Sequence, residues 1–223
     1  MLDGSDEEEH TAPAVLPPYR PSVPLFAGGE ARDAGALAGT ATHLFMQFCD
    51  FDRLAEQGAA AELTHLCADA FLSEEDGARV RLGEIAAFVR SPLFARIRAA
   101  GRVRRELRFH ACLPADAFTA DEERRLALAG RELLVQGVID CIIEDEDGYT
   151  LVDYKTDRLT AAELADPALA AKKLSERHAL QLSYYAAACA RMYGKPPREV
   201  LIYSLPLGDT VTVDCVPLNA VAQ

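Results

Sequence analysis

Val135-Gln136-Gly137-Val138-Ile139-Asp140-Cys141-Ile142-Ile143, then Glu144-Asp145-Glu146-Asp147-Gly148, then Tyr149-Thr150-Leu151-Val152-Asp153-Tyr154-Lys155 is the stretch that decides the fold. The first run is mostly apolar and rich in β-branched residues, which favour strands. The acidic middle carries Asp-Gly, a tight-turn signal, and the third run is again apolar. Two strands joined by so short a polar turn form an antiparallel hairpin. With a turn spanning 145–148, Glu144 faces Tyr149 and Asp140 falls opposite Asp153. Directly opposed side chains share a face with Cβ atoms ~5 Å apart. Lys155 lies two residues beyond Asp153 and points to the same side.

Two carboxylates and one ammonium therefore gather among Val138, Ile139, Ile142, Leu151 and Val152. A carboxylate in apolar surroundings is costly unless something compensates it. Two so close repel, so either one takes up a proton or both hold a cation. Hard oxygen donors suit Mg²⁺, with Mn²⁺ able to substitute. Such a centre can hydrolyse a phosphodiester: the ion acidifies bound water, and Lys155 offsets the charge that develops on phosphorus. The plainer alternative is an Asp–Lys ion pair that only staples the hairpin, and a register slip of one residue would break the arrangement.

Working outward, residues 36–101 read as helical. Leu44, Phe45, Phe48 and Phe51 recur at helical intervals, with further helices over about 58–72, 78–90 and 92–100, the last opened by Ser91-Pro92. From Arg105 to Phe109 the pattern becomes that of a strand. Beyond the hairpin, Thr160-Ala161-Ala162-Glu163 matches a capping box. A longer helix spans about 175–193 and stops at Gly194, and strands follow at Val200–Tyr203 and Val211–Val213. Helices, three strands, helices and two strands make an α/β layer architecture. Residues 1–35, with an acid run, prolines and Gly28-Gly29, read as an acidic, Pro-rich tail or linker. The remainder, 36–223, divides into a helical part over 36–101 and an α/β core over 102–215.

The chain has 223 residues, of which 50% are hydrophobic and 26% charged. That balance excludes disordered and fibrous classes. No run approaches the ~18 apolar residues of a membrane span, and the acidic start is no secretory leader, so a cytoplasmic location is expected. None of the six cysteines lies within four residues of another, which excludes zinc-knuckle spacing and an iron–sulfur cluster. They read as reduced, mostly buried thiols. A net charge of −12 is unusual for a nucleic-acid binder. Between 79 and 108, however, Arg79, Arg81, Arg90, Arg96, Arg98, Arg102, Arg104, Arg105 and Arg108 face only Glu84 and Glu106. They form either a local basic surface or a solvated helix face.

Four motifs stand in a recognisable order: Gly39-Thr40-Ala41-Thr42-His43, Gly137-Val138-Ile139-Asp140, Asp153-Tyr154-Lys155-Thr156-Asp157 and Gln181-Leu182-Ser183-Tyr184-Tyr185. Together they resemble the RecB-type branch of the PD-(D/E)XK nucleases over roughly residues 36–215. With the Arg105–Phe109 strand, they are most similar to the carboxy-terminal nuclease domains of the AddA family, the helicase–nuclease components of bacterial AddAB recombination complexes. The resemblance implies a restriction-endonuclease-like core with a central mixed β-sheet flanked by helices, preceded by a helical region. It implies His43, Asp140 and Asp153 as metal ligands, with the Tyr154 backbone carbonyl as a further one. Lys155 takes the place of the catalytic lysine. Gln181 and Tyr185 take that of the helix residues that position DNA or the lysine, and Glu106 that of an acidic position on the first core strand. Taken singly, His43 reads equally as a core histidine, Gln181 and Tyr185 as packing residues, and Glu106 as a partner of its arginine neighbours.

The same resemblance implies an exonuclease acting on single-stranded DNA ends in double-strand-break processing. Its partners would be an AddB-type protein and a helicase motor. No Gly-x-x-x-x-Gly-Lys-[Ser/Thr] occurs in this chain, so it is expected to be the nuclease part of a longer polypeptide. The competing expectation is a catalytically silent DNA-binding or subunit-docking domain of the same fold. An intact Asp140, Asp153 and Lys155 set speaks against it.

Overall fold

The hairpin forms as its turn chemistry requires: β2 (Glu132–Asp145) runs into β3 (Gly148–Lys155) with Glu144 opposite Tyr149 and Cys141 opposite Val152. The computed structural model describes residues 34–215. The expected tail therefore lies outside the described residues, except that Ala34 and Gly35 already belong to the first helix.

Among the described residues six helices precede the sheet: α1 (Ala34–Phe48), α2 (Phe51–Gln57), α3 (Ala59–Ala68), α4 (Glu74–Gly77), α5 (Leu82–Val89) and α6 (Pro92–Ala99). The Leu44–Phe51 periodicity does not belong to one helix. Asp50 accepts hydrogen bonds from Asp52 N and Arg53 N and caps a new one there. Gly58, at φ 84°, then separates α2 from α3, so the helix expected to start at 58 begins one residue later. Ser91 caps α6 through Phe94 N, with Pro92 in the first turn.

β1 (Arg102–Pro114) pairs antiparallel with β2 along almost its whole length. Between them stand a single 3₁₀ turn (Ala115–Phe118) and α7 (Glu122–Leu128), which the periodicity did not show. After β3 come α8 (Ala161–Ala165), α9 (Pro167–Tyr193), β4 (Glu199–Ser204) and β5 (Asp209–Thr212). The capping box at Thr160 and Glu163 is complete. α9 starts earlier than the apolar spacing suggests, because Asp166 caps Ala168 N and Leu169 N and Pro167 fits the first turn. It ends at Gly194, whose φ of 70° supplies the left-handed stop. The strands form one sheet in the order β1-β2-β3-β4-β5, parallel only between β3 and β4.

Each face of the sheet carries its own core. α1 to α6 cover one face, where Phe45, Phe88, Phe94, Cys141, Ile143, Val152, Tyr154 and Tyr203 are buried. Phe88 is the hub, with ring centroids 5.1 Å from Phe94, 5.5 Å from Tyr154 and 4.9 Å from Tyr203. Burying one such ring stabilises the fold by roughly 1.5–3 kcal/mol. It also fixes β3, since anchoring Tyr154 on this face turns Asp153 and Lys155 to the other. There α9 packs over Ile139, Ile142, Tyr149, Leu151 and Ile202 through Leu174, Leu182 and Cys189.

The faces do not run straight along β1 and β2. Val103 and Cys141 pack with the helical layer, whereas Leu107 and Ile139 pack under α9, although each pair differs by an even number of residues. Both strands change face at Glu106 and Asp140, which stand opposite each other between the pairs Arg105–Cys141 and Leu107–Ile139. Glu106 makes the change possible with a φ of 50°, a left-handed conformation that costs a non-glycine residue about 1–2 kcal/mol. Arg105 holds it in place. Its guanidinium donates to Cys49 O at 2.6 Å and to Met46 O at the end of α1, and lies 3.9 Å over the Phe51 ring.

Of the two readings of the arginine run, the ion pairs speak against an open basic surface. Arg79 pairs with Glu75, Arg81 with Glu84, Arg96 with Glu199, Arg98 with Asp52, and both Arg102 and Arg104 with Glu144. Most of those acids come from elsewhere in the chain, which local counting of charge could not show. Cys49, Cys141 and Cys189 are buried, but Cys112 and Cys215 are exposed. No helix among the described residues is long and apolar enough to cross a membrane.

Candidate active site

The change of face leaves Asp140 between the two layers, at the point where β2 diverges from β3. Its carboxylate Oδ2 accepts a hydrogen bond from the backbone N–H of Tyr154 at 2.7 Å. Its other oxygen, Oδ1, lies 3.9 Å from Nε2 of His43, which α1 brings in from the helical side. Asp153 and Lys155 approach from the α9 side, with Lys155 Nζ 2.6 Å from Asp153 Oδ2. That contact pairs the ammonium directly with one carboxylate of the site.

Two glycines admit the flanking helices. A Cβ on Gly39 would come within 2.9 Å of Thr156 Oγ1, so only glycine lets α1 lie this close to the exit of β3. A Cβ on Gly137 would meet the rings of Phe109 and Tyr185 at 2.9 and 3.0 Å. α9 presents Gln181 and Tyr185 one turn apart on one face. Lys155 Nζ donates to Gln181 Oε1 at 3.1 Å, and Gln181 Nε2 donates to the Tyr185 hydroxyl at 3.2 Å. The pair thus holds the lysine from above. Glu106 stands near enough to Asp140 for its charge to be felt there.

The electrostatics follow from enclosure. Burial, and then the neighbouring Asp153 charge, push the Asp140 carboxyl well above its usual range, and the Tyr154 N–H only partly offsets them. Burial also raises Glu106, against the pull of Arg105 and Arg108. His43 is lowered, chiefly by burial, and is neutral near pH 7. Burial works against the Lys155 ammonium, but Asp153, Asp140 and Asp157 outweigh it and its pKa is raised. The site therefore holds one firm cation and more carboxylate than that cation neutralises.

Two carboxylates and a neutral imidazole are donors of the kind a hard divalent ion takes. Lys155 pairs with Asp153, and Asp140 is left beside that second carboxylate, where burial and the Asp153 charge raise it. The fit is chemical rather than a finished cage. Among the described residues no three His, Cys, Asp or Glu side chains already stand close enough together to hold a metal ion.

Residues 25–213 match the PD-(D/E)XK nuclease superfamily. The chain belongs to that superfamily. The mixed five-stranded sheet flanked by helices is the α/β fold expected of it. Among its relatives are proteins named as the A-type component of an ATP-dependent helicase/nuclease. That of Acetivibrio thermocellus is 32% identical over 191 residues, covering 84% of this chain and 14% of the relative. That of Geobacillus thermodenitrificans is 32% identical over 192 residues, covering 84% and 15%. That of Clostridium botulinum is 27% identical over 210 residues, covering 94% and 16%. The chain thus spans about a seventh of the length of the first of these relatives.

In this PD-(D/E)XK domain, His43, Asp140, Asp153, Lys155, Gln181 and Tyr185 form one connected group, with Glu106 at its margin. The Tyr154 N–H is held by Asp140 while its ring is buried under Phe88. Sequence reasoning missed Thr156 as the seat for α1, and Asp157 with its partners Arg177 and His178. A signal for Asp157 was present, since it closes the Asp-Tyr-Lys-Thr-Asp run.

Proposed function

We propose that this domain is a Mg²⁺-dependent deoxyribonuclease that hydrolyses phosphodiesters at single-stranded DNA ends, as part of a helicase–nuclease that processes double-strand breaks. The observation that carries the reading is the convergence of Asp140, Asp153 and Lys155, with His43, at the open end of the β2–β3 hairpin.

Asp140, Asp153 and His43, with the Tyr154 carbonyl, would hold the divalent ion. When bound, that ion supplies Lewis acidity toward a phosphoryl oxygen and lowers the pKa of water. Lys155 keeps its proton on Nζ and offsets the negative charge that grows on the phosphoryl group in the transition state. Gln181, itself held by Tyr185, restricts the lysine to one direction, which places the ammonium before reaction rather than during it. Neutral His43 offers a lone pair instead of a competing charge. No side chain here need form a covalent bond to the substrate.

The length of the relatives supports a larger assembly in which a motor segment and an AddB-type protein deliver the strand. The ion pairs of Arg79, Arg81, Arg96, Arg98, Arg102 and Arg104 reduce the positive field of this region, which fits delivery by other parts.

The test is cleavage of linear single-stranded DNA with and without Mg²⁺. Wild-type protein is expected to cut only with the metal, and Asp153→Ala and Lys155→Ala to stay folded and silent. Equal background cleavage in all three would overturn the reading.

A further inference from the structure

We propose that Asp157 is a positioning residue for this site: by tying the exit of β3 to α9, it sets Gln181 against Lys155. The proposal rests on the nuclease reading above.

The last residue of β3 and the three that follow it alternate in what they hold. Lys155 donates to Gln181 on α9, and Thr156 sits against Gly39 on α1. Asp157 then returns to α9, where Oδ1 accepts from Arg177 Nη1 at 2.6 Å and Oδ2 lies 3.0 Å from His178 Nε2. Arg158 returns to α1, where a Cβ on Gly35 would meet its side chain at 3.1 Å. This short connector therefore sets the distance of both flanking helices from the strand that carries Asp153 and Lys155.

The α9 half is the more specific. Residues 178, 181 and 185 lie on one helical face, spaced by three and four. His178 meets Asp157, Gln181 meets Lys155, and Tyr185 meets Gln181 and the backbone at Gly137. Asp157 is thus the contact one turn before the one that orients the lysine. Both of its oxygens are engaged, so it fixes rotation of α9 as well as distance. Asp157 and His178 side chains are only 16% and 15% exposed, whereas the Lys172–Glu176 pair on the same helix is exposed and spans 3.9 Å. An exposed pair of the latter kind contributes little. The enclosed pair ties a loop to a helix across 21 residues of chain.

The experiment is a double-variant cycle in the full chain. Asp157→Asn preserves size, and Arg177→Ala changes the more exposed partner where misfolding is no concern. Each is expected to lower kcat for single-stranded DNA by between about tenfold and 100-fold, the scale set by small misplacement of a reacting group, with KM little changed. Combined with Gln181→Ala, Asp157→Asn is expected to cost nothing further, since its effect passes through that glutamine. An unchanged kcat in Asp157→Asn, or losses that simply multiply with Gln181→Ala, would overturn the proposal. A second readout does not need activity. The side-chain amide resonances of Gln181 should move in Asp157→Asn and Arg177→Ala but not in Lys172→Ala. Folded wild-type protein that cuts no DNA would overturn the nuclease reading, and the Gln181 resonances would then decide the clamp: if they stay still in both variants, it is wrong.

Discussion

Asp140 Oδ2 accepts the backbone N–H of Tyr154 at 2.7 Å, just beyond Cys141–Val152, the last pair of the β2–β3 ladder. A side chain thus takes over where backbone pairing ends, and it ties one acid of the site to the strand that carries the other. A hydrogen bond to a charged acceptor contributes about 1.5–3 kcal/mol to stability. The same carboxylate is raised in pKa by burial and by Asp153, so structure and chemistry compete for it.

Asp140→Asn separates the two. The amide oxygen can still accept from Tyr154 N, so the fold should survive while cleavage is lost. A group whose folded-state pKa is raised favours folding below its ordinary pKa and loses that contribution as pH rises through the raised value. Metal-free wild type should therefore fall behind Asp140→Asn in urea stability as pH rises. Mg²⁺ at a hundred times its Kd should add about 2.7 kcal/mol to wild type and much less to Asp140→Asn. Equal Mg²⁺ stabilisation of both would remove Asp140 from the metal site.

Gly39→Ala should lose activity because the new methyl meets Thr156 Oγ1 at 2.9 Å and pushes α1, with His43, off the exit of β3. Overpacking of this kind costs about 1–3 kcal/mol. Gly39→Ala with Thr156→Ala should recover much of both stability and kcat. A Gly39→Ala protein with wild-type kcat would show that the approach of α1 is not what places His43.

Glu106→Gly should be at least as stable as wild type, since glycine accepts a φ of 50° without strain and the half-buried carboxyl is removed. Denaturant midpoints would measure a gain of about 1 kcal/mol if strain dominates. Activity should fall if the carboxylate serves the site. A stable and fully active Glu106→Gly would assign Glu106 to shaping the strand alone.

Acid stability should depend on Asp157 and Glu163. Hydrogen bonds from Lys173 and Thr160 lower Glu163 to about 2, and for Asp157 those from His178 and Arg177 outweigh burial and hold it well below its usual range. A depressed folded-state pKa gives stability that is present above the ordinary carboxylate range and lost as pH falls through the lowered value. The stability gap between wild type and Glu163→Gln should thus be full near neutrality and close as pH drops toward about 2. Urea titrations across that range would show it, and a gap that widened with acid would contradict the assignment.

Much of this was open to reading from local pattern. The hairpin register follows from one Asp-Gly turn, because the number of residues in a tight turn leaves a single pairing; the ladder ends at Cys141–Val152, one pair short of the expected opposition of Asp140 and Asp153. The capping box at Thr160 and the stop at Gly194 are equally local, since each satisfies orphan backbone groups within a few residues. The start of α9 at Pro167 was missed because apolar spacing was weighed above the Asp166-Pro167 cap. α7 was missed for a different reason: it buries none of its residues, so it leaves no apolar stripe.

By itself, then, the sequence determined the hairpin, its register and the order of the four motifs, all of which depend on neighbours along the chain. Only the tertiary structure decided the rest. It reversed the faces of β1 and β2 at Glu106 and Asp140, so that His43 from one layer and Lys155 from the other reach the same acids. It paired Arg96, Arg98, Arg102 and Arg104 with acids remote in sequence, and it joined Asp157 to Arg177 and His178. Those outcomes depend on which layers pack on which face, and periodicity within a single strand or helix carries no record of what will lie across from it.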